Sequence, residues 1–176
     1  MIQFLLTSHV LAGATALGSA LLAISTKKGS KNHILIGRIY SLAMFYVVVG
    51  AFILSVVRPN PFLFTIALFS GYLVWTGFRR ARYRNAELNK VDKVTAAIGV
   101  SIILILFGYG LNLILSQNSI GIVLIFFGLG MVTFVFEDVR ALKSDLYKSK
   151  LRIANHLQRM LGGTIATITA VLVQQL

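Results

Sequence analysis

The chain has 176 residues, of which 57% are hydrophobic and 12% charged. Its mean hydropathy of +0.83 is far above that of a soluble domain and predicts an integral membrane protein. The net charge of +12 would suggest a nucleic-acid partner only in a soluble protein, and the absence of cysteine excludes disulfides and thiolate metal sites.

Six apolar runs are long enough to cross roughly 30 Å of hydrocarbon. The breaks between them are short and carry charges or turn formers, as in TKKGSKN and RPNP. No polar stretch is long enough for a separate domain, so residues 1–176 are predicted to form one all-α domain, a bundle of six transmembrane helices. The predicted helices span residues 2–24, 34–57, 61–78, 94–115, 120–136 and 157–176.

Details of single helices follow from local patterns. The first apolar segment lacks the basic residues that begin a signal peptide, so we expect it to remain in the protein as a helix. Asn32 is a suitable N-cap for the second helix. The aromatic-rich third helix is expected to face lipid. Val139, Leu142 and Leu146 recur at helical spacing and predict that the fifth helix continues beyond the membrane.

The basic residues predict the orientation, because Lys and Arg in short loops remain on the cytoplasmic side. Of the seventeen, only Arg58 falls on one side, leaving sixteen on the other. We therefore expect a multi-pass membrane protein with both termini outside. The run RRARYR at residues 79–84 resembles a nucleic-acid patch. Directly after a membrane helix, it is instead interpreted as a topology signal that attracts anionic lipid headgroups, with no nucleic-acid partner.

The three histidines of the chain each follow a polar residue near the start of a predicted helix. In the predicted topology His33 and His156 lie at the same inner boundary. His9 lies deeper, roughly 20 Å from them along the membrane normal. Glu137 and Asp138 end the fifth helix at the level of the inner pair. Ionisable side chains are costly at membrane depth and often mark functional sites.

A metal site is one interpretation of the inner residues. His33 and His156 with Glu137 and Asp138 would bind a divalent metal such as Zn, provided that the second and sixth helices are neighbours. The structural alternative is that the imidazoles hydrogen-bond backbone or lipid phosphate and that the two carboxylates are paired with Arg140.

A single haem b is the other interpretation. The two inner imidazoles would be its axial ligands, Arg38 or Arg159 would neutralise its propionates, and Gly37 would leave room for a planar ligand. Two bis-histidine haems that transfer electrons across the membrane would need four histidines, so the three histidines of this chain exclude that arrangement. The redox partner would then be a quinone, hydrogen-bonded by His9, or a soluble protein. Alternatively, His9 is an interhelical hydrogen-bonding group.

Three stretches, SHVLAGATALGSALLA, KGSKNHILIGRIYSLAMF and NHLQRMLGGTIA, together resemble a family of predicted bacterial membrane proteins without an assigned function. The family has a histidine early in the first helix. A Lys-Gly pair and then His-x-x-x-Gly-Arg begin its second helix, and His-x-x-x-Met begins a late one. The matching positions are His9, Lys28, Gly29, His33, Gly37, Arg38, His156 and Met160. The resemblance implies a multi-pass bundle in the bacterial inner membrane and no particular reaction. The layout is also loosely similar to haem-binding bundles related to b-type cytochromes.

Three functions are consistent with these patterns. The leading hypothesis is a histidine-based cofactor or metal site near the cytoplasmic face, with electron transfer if the ligand is haem. The second is an intramembrane metal-dependent hydrolase that uses Glu137 or Asp138 as a ligand or base. The third is a non-enzymatic module for small-molecule transport or lipid binding. A homo-oligomer is compatible with each, and the substrate is left open.

Overall fold

The computed structural model describes residues 2–82, 90–142 and 151–173. These residues form six α-helices, which confirms the predicted all-α class for this part of the chain. Five of them, α1 to α5, are long and apolar enough to cross a membrane. The helices are α1 (Ile2–Ser25), α2 (Lys31–Val57), α3 (Pro61–Arg82), α4 (Lys90–Leu115), α5 (Ile120–Ala141) and α6 (Leu151–Val173).

Five helix ends extend into charged sequence beyond the predicted boundaries. These are the starts of α2, α4 and α6 and the ends of α3 and α5. An apolar run stops at the first charged residue, but the backbone hydrogen bonds of a helix continue past it. The predicted continuation of the fifth helix is confirmed as far as Ala141. Leu146, residues 83–89 of the third loop and residues 174–176 of the sixth predicted helix lie outside the described residues.

The cap of α2 differs from the prediction. Ser30, not Asn32, is the N-cap, and its side-chain oxygen accepts a hydrogen bond from the backbone N–H of His33 at 3.2 Å. Gly29 precedes it with a left-handed φ of 78°, a backbone conformation that glycine adopts without strain. The turn geometry therefore starts the helix earlier than the apolar pattern indicates.

The structure divides into two compact units. Unit 1 comprises the described residues within Met1–Val74 and Gly163–Leu176, and there α1 packs against α2. Unit 2 comprises the described residues within Trp75–Gly162, and there α4 packs against α5. The helices α3 and α6 contribute residues to both units.

The interior of unit 1 corrects the prediction for the third helix. Phe62, Phe69 and Leu73 of α3 are buried, although aromatic content had suggested a lipid-facing helix. Hydrophobicity does not distinguish a lipid-facing side chain from one inside the protein, because both environments are apolar. Tyr40 is also buried, and its hydroxyl hydrogen-bonds that of Thr164 at 3.1 Å.

The α4–α5 contact in unit 2 depends on two glycines. A Cβ atom added to Gly121 would lie 2.5 Å from the carbonyl oxygen of Gly110 and 2.8 Å from the backbone nitrogen of Ile114. The two backbones therefore approach each other at a distance that only glycine permits.

Candidate functional site

His33 lies half-buried in the first turn of α2, beside the end of α1. Its Nδ1 atom is 3.1 Å from the carbonyl oxygen of Ala23 and 3.4 Å from the hydroxyl of Thr26. Because a carbonyl oxygen can only accept, Nδ1 donates, and the neutral ring carries its lone pair on Nε2. The α1–α2 turn thus determines which nitrogen of His33 can act as a Lewis base.

His156 in unit 2 has the same kind of anchor. Its Nδ1 atom lies 2.9 Å from the carbonyl oxygen of Gly77 in α3 and donates to it, so the neutral ring again has its lone pair on Nε2. A Cβ atom at Gly77 would lie 3.1 Å from Cβ of Arg159 and 3.2 Å from Cε of Met160. The absence of a side chain at Gly77 therefore lets α6 approach closely enough for this bond.

Glu137 and Asp138 are both engaged by arginine. Asp138 is paired with Arg80, and it also lies 3.1 Å from Arg159. Arg159 is completely buried and additionally reaches Glu137 at 3.2 Å and the carbonyl oxygen of Phe134 at 3.0 Å. These carboxylates are neutralised within unit 2, as buried charges generally must be.

A second buried pair joins α3 to α4. Arg79 donates to one oxygen of Asp92 from Nη2 at 2.8 Å and from Nε at 3.2 Å. Its guanidinium group lies 5.6 Å from the ring centre of Trp75, whose indole N–H donates to Thr95 at 3.2 Å. We call these residues the ion-pair cluster of unit 2: Arg79, Arg80, Asp92, Glu137, Asp138 and Arg159.

The ion-pair cluster was missed by the sequence analysis, which placed Arg79 and Arg80 in a lipid-binding loop. Both belong to α3 and are buried. Consecutive helical residues point about 100° apart, which explains why Arg79 pairs with α4 and Arg80 with α5. Arg152 also donates to the carbonyl oxygen of Ala81 at 3.0 Å, near the end of α3. The one available signal was the presence of Asp and Glu at the ends of neighbouring apolar runs.

His9 lies in the α1–α2 contact of unit 1. A Cβ atom at Gly50 of α2 would be 2.8 Å from its Nδ1 atom, so Gly50 provides the space that the imidazole fills. The adjacent Ser8 accepts a hydrogen bond from the hydroxyl of Tyr46 at 2.7 Å. The Tyr46–Ser8 hydrogen bond is typical of polar groups between membrane helices, whereas Nδ1 of His9 is buried without a hydrogen-bond partner among the described residues.

The remaining predicted positions lie around the start of α2. A Cβ atom at Gly37 would meet nothing within 4 Å, and Arg38 is exposed. His33 belongs to unit 1, whereas His156, Arg159, Glu137 and Asp138 belong to unit 2. In the described part of the chain, no group of three or more His, Cys, Asp or Glu side chains is arranged to hold a metal ion.

Comparison with known proteins gives no further assignment. No family model matches the sequence, and no curated protein or solved structure is significantly similar to it.

Proposed function

We propose that this is a six-span protein of the bacterial inner membrane, with both termini outside, that binds a cofactor through histidine side chains, for which His33 of unit 1 and His156 of unit 2 are the candidates. The spans of α1 to α5 and the strong asymmetry of the basic residues support the topology. α6 has 23 residues and is about 35 Å long, which is sufficient to cross the hydrocarbon core.

The observation that carries the cofactor proposal is the shared anchoring of the two imidazoles. In His33 and in His156, Nδ1 donates to a backbone carbonyl oxygen, at 3.1 Å and 2.9 Å respectively. Metal-ligating histidines characteristically make this bond, which fixes the tautomer and the orientation of the ring. Of the groups considered, haem b fits best, because imidazole can ligate its iron and no carboxylate would be needed. A quinone or a soluble protein would be its electron-transfer partner.

The hydrolase alternative receives less support. Its ligand or base would be Glu137 or Asp138, and both carboxylates are paired with arginine inside unit 2. A carboxylate whose oxygens already accept hydrogen bonds from a guanidinium is less available to a metal ion or a substrate. Arg159, which was predicted to bind a haem propionate, is paired with the same two carboxylates. The proposal therefore rests on the imidazoles and not on propionate binding by Arg159.

Absorption spectroscopy of the purified full-length protein tests the proposal. We expect the protein, isolated from haem-supplemented cells or titrated with haemin, to show a Soret band and the low-spin spectrum of imidazole ligation. At least one of the variants His33→Ala and His156→Ala should lose this low-spin spectrum. His9→Ala is the matched control and should retain it.

Two results would contradict the proposal. One is a colourless protein that does not bind haemin. The other is a haem spectrum that is unchanged in both His33→Ala and His156→Ala. Metal analysis of the same preparation addresses the hydrolase alternative, which predicts stoichiometric zinc without colour.

A further inference from the structure

Unit 1 has positive charge that its own residues cannot neutralise. It contains Lys27, Lys28, Lys31, Arg38 and Arg58 and has no Asp or Glu in its sequence. Unit 2 differs, because its buried arginines are paired with carboxylates of the same unit. Four of the five cations of unit 1 lie at the α1–α2 turn or in the first two turns of α2.

One of these four cations already has a structural role. Lys28 donates from Nζ to the carbonyl oxygens of Ala23, at 3.0 Å, and Ile24 at the end of α1. A lysine at this position satisfies carbonyl groups that have no partner within the helix and interacts favourably with its dipole. Lys27, Lys31 and Arg38 are exposed.

Lys31 and Arg38 lie on one face of α2, because seven residues make about two turns. Leu35 lies between them on this face, and Leu42 follows one turn after Arg38. These two leucines are 59% and 70% exposed. Arg38 therefore projects from an apolar surface of the kind that contacts lipid, where a charged group is costly unless it reaches a polar partner.

The length of α2 indicates the depth of Arg38. The helix has 27 residues and is about 40 Å long, roughly 10 Å longer than the hydrocarbon core is thick. The uncharged part between Arg38 and Arg58 is residues 39–57, about 29 Å long, which matches the core. Arg38 then lies at one edge of the hydrocarbon, and Lys31 lies about 10 Å further out, in the headgroup layer.

From this placement we propose that Lys31 and Arg38, with Lys27 beside them, bind the phosphate of an anionic phospholipid. The acyl chains of the lipid lie against Leu42, one turn deeper than Arg38. Phosphate is complementary to both cations, and the guanidinium group of Arg38 forms paired hydrogen bonds with it. The site is independent of the proposed cofactor, and it assigns Arg38 to lipid phosphate in place of a haem propionate.

Native mass spectrometry of the full-length protein tests this site. The protein is released from detergent in the presence of equal amounts of phosphatidylglycerol and phosphatidylcholine with identical acyl chains. We expect the unaltered protein to retain phosphatidylglycerol preferentially. The preference should fall about fivefold in Lys31→Gln and about fivefold in Arg38→Gln. In the double variant, which removes both cations, the two factors should multiply. Arg58→Gln removes one charge at the opposite end of α2 and should keep the preference.

The proposal would be overturned by a double variant that keeps the full preference for phosphatidylglycerol, or by an equal loss in Arg58→Gln. A second measurement uses only the unaltered protein and so does not depend on the folding of variants. Raising the ammonium acetate concentration should reduce the preference, because salt screens exposed charges. A preference that is insensitive to salt would also refute the site.

Discussion

Replacing Asp138 by asparagine should destabilise unit 2 more than the same neutralisation of Asp92 or Glu137, the other two carboxylates of its ion-pair cluster. Asp138 accepts from Arg80 and is also paired with Arg159, and the side chains of these arginines are only 2% and 0% exposed. The Asp138→Asn variant keeps the shape of the side chain but removes its negative charge. Arg80 then remains buried without the carboxylate that the structure places beside it.

The expected magnitude follows from the burial of both partners. Removing one member of a buried ion pair costs about 3–5 kcal/mol, mostly because a charge is left uncompensated. Glu137→Gln should lower the free energy of unfolding by about 1 kcal/mol or less, because this side chain is 33% exposed and Arg159 remains paired with Asp138. Asp92→Asn should lie between the two, because its partner Arg79 is 8% exposed, more than Arg80 or Arg159, whereas Asp92 itself is more buried than Glu137.

Tryptophan fluorescence provides the assay. Trp75 is the only tryptophan of the chain, and it lies in unit 2 next to Arg79 and Thr95. Unfolding with sodium dodecyl sulfate in mixed micelles, followed at this residue, gives free energies of unfolding for the three variants. The double variant Arg80→Met with Asp138→Asn should recover part of the loss, because it also removes the uncompensated cation.

Two results would refute this reasoning. An Asp138→Asn variant as stable as the unaltered protein would mean that the cluster does not stabilise unit 2. A greater loss in Glu137→Gln than in Asp138→Asn would show that burial does not determine the order.

Two further predictions concern helix packing and capping. Gly121→Ala should destabilise unit 2 by about 1–3 kcal/mol, because the added Cβ would overlap the backbone of Gly110. Its control, Gly108→Ala, has nothing within 4 Å of the new Cβ and should be neutral or slightly stabilising in the same fluorescence assay. Ser30→Ala should cost about 0.5–2 kcal/mol and accelerate hydrogen exchange in the first turn of α2, whereas Asn32→Ala should not. An equal loss of stability in Gly121→Ala and Gly108→Ala would contradict the close contact at Gly121. Equal effects of Ser30→Ala and Asn32→Ala would contradict the assignment of Ser30 as the N-cap.

Much of the architecture could be predicted because it depends on local sequence. A membrane helix must satisfy its backbone hydrogen bonds internally and match the thickness of the bilayer. Apolar runs therefore predicted the all-α class and the central parts of all six helices. The sequence also identified His33 and His156 as polar residues at helix starts. Their role as ligands remains a prediction.

The tertiary structure decided which polar side chains meet. Arg80 and Asp138 are 58 residues apart in sequence, and His156 and Gly77 are 79 residues apart. Hydropathy assigns a residue to a helix but does not say which neighbour its face contacts. For this reason the sequence predicted that Arg79 and Arg80 are loop residues. In the structure α3 continues through both of them, and their side chains contact α4 and α5. The composition determined that five of the described helices are apolar enough to cross a membrane. The helix contacts determined which charges are neutralised inside the protein, because desolvated charges require partners that sequence order does not reveal.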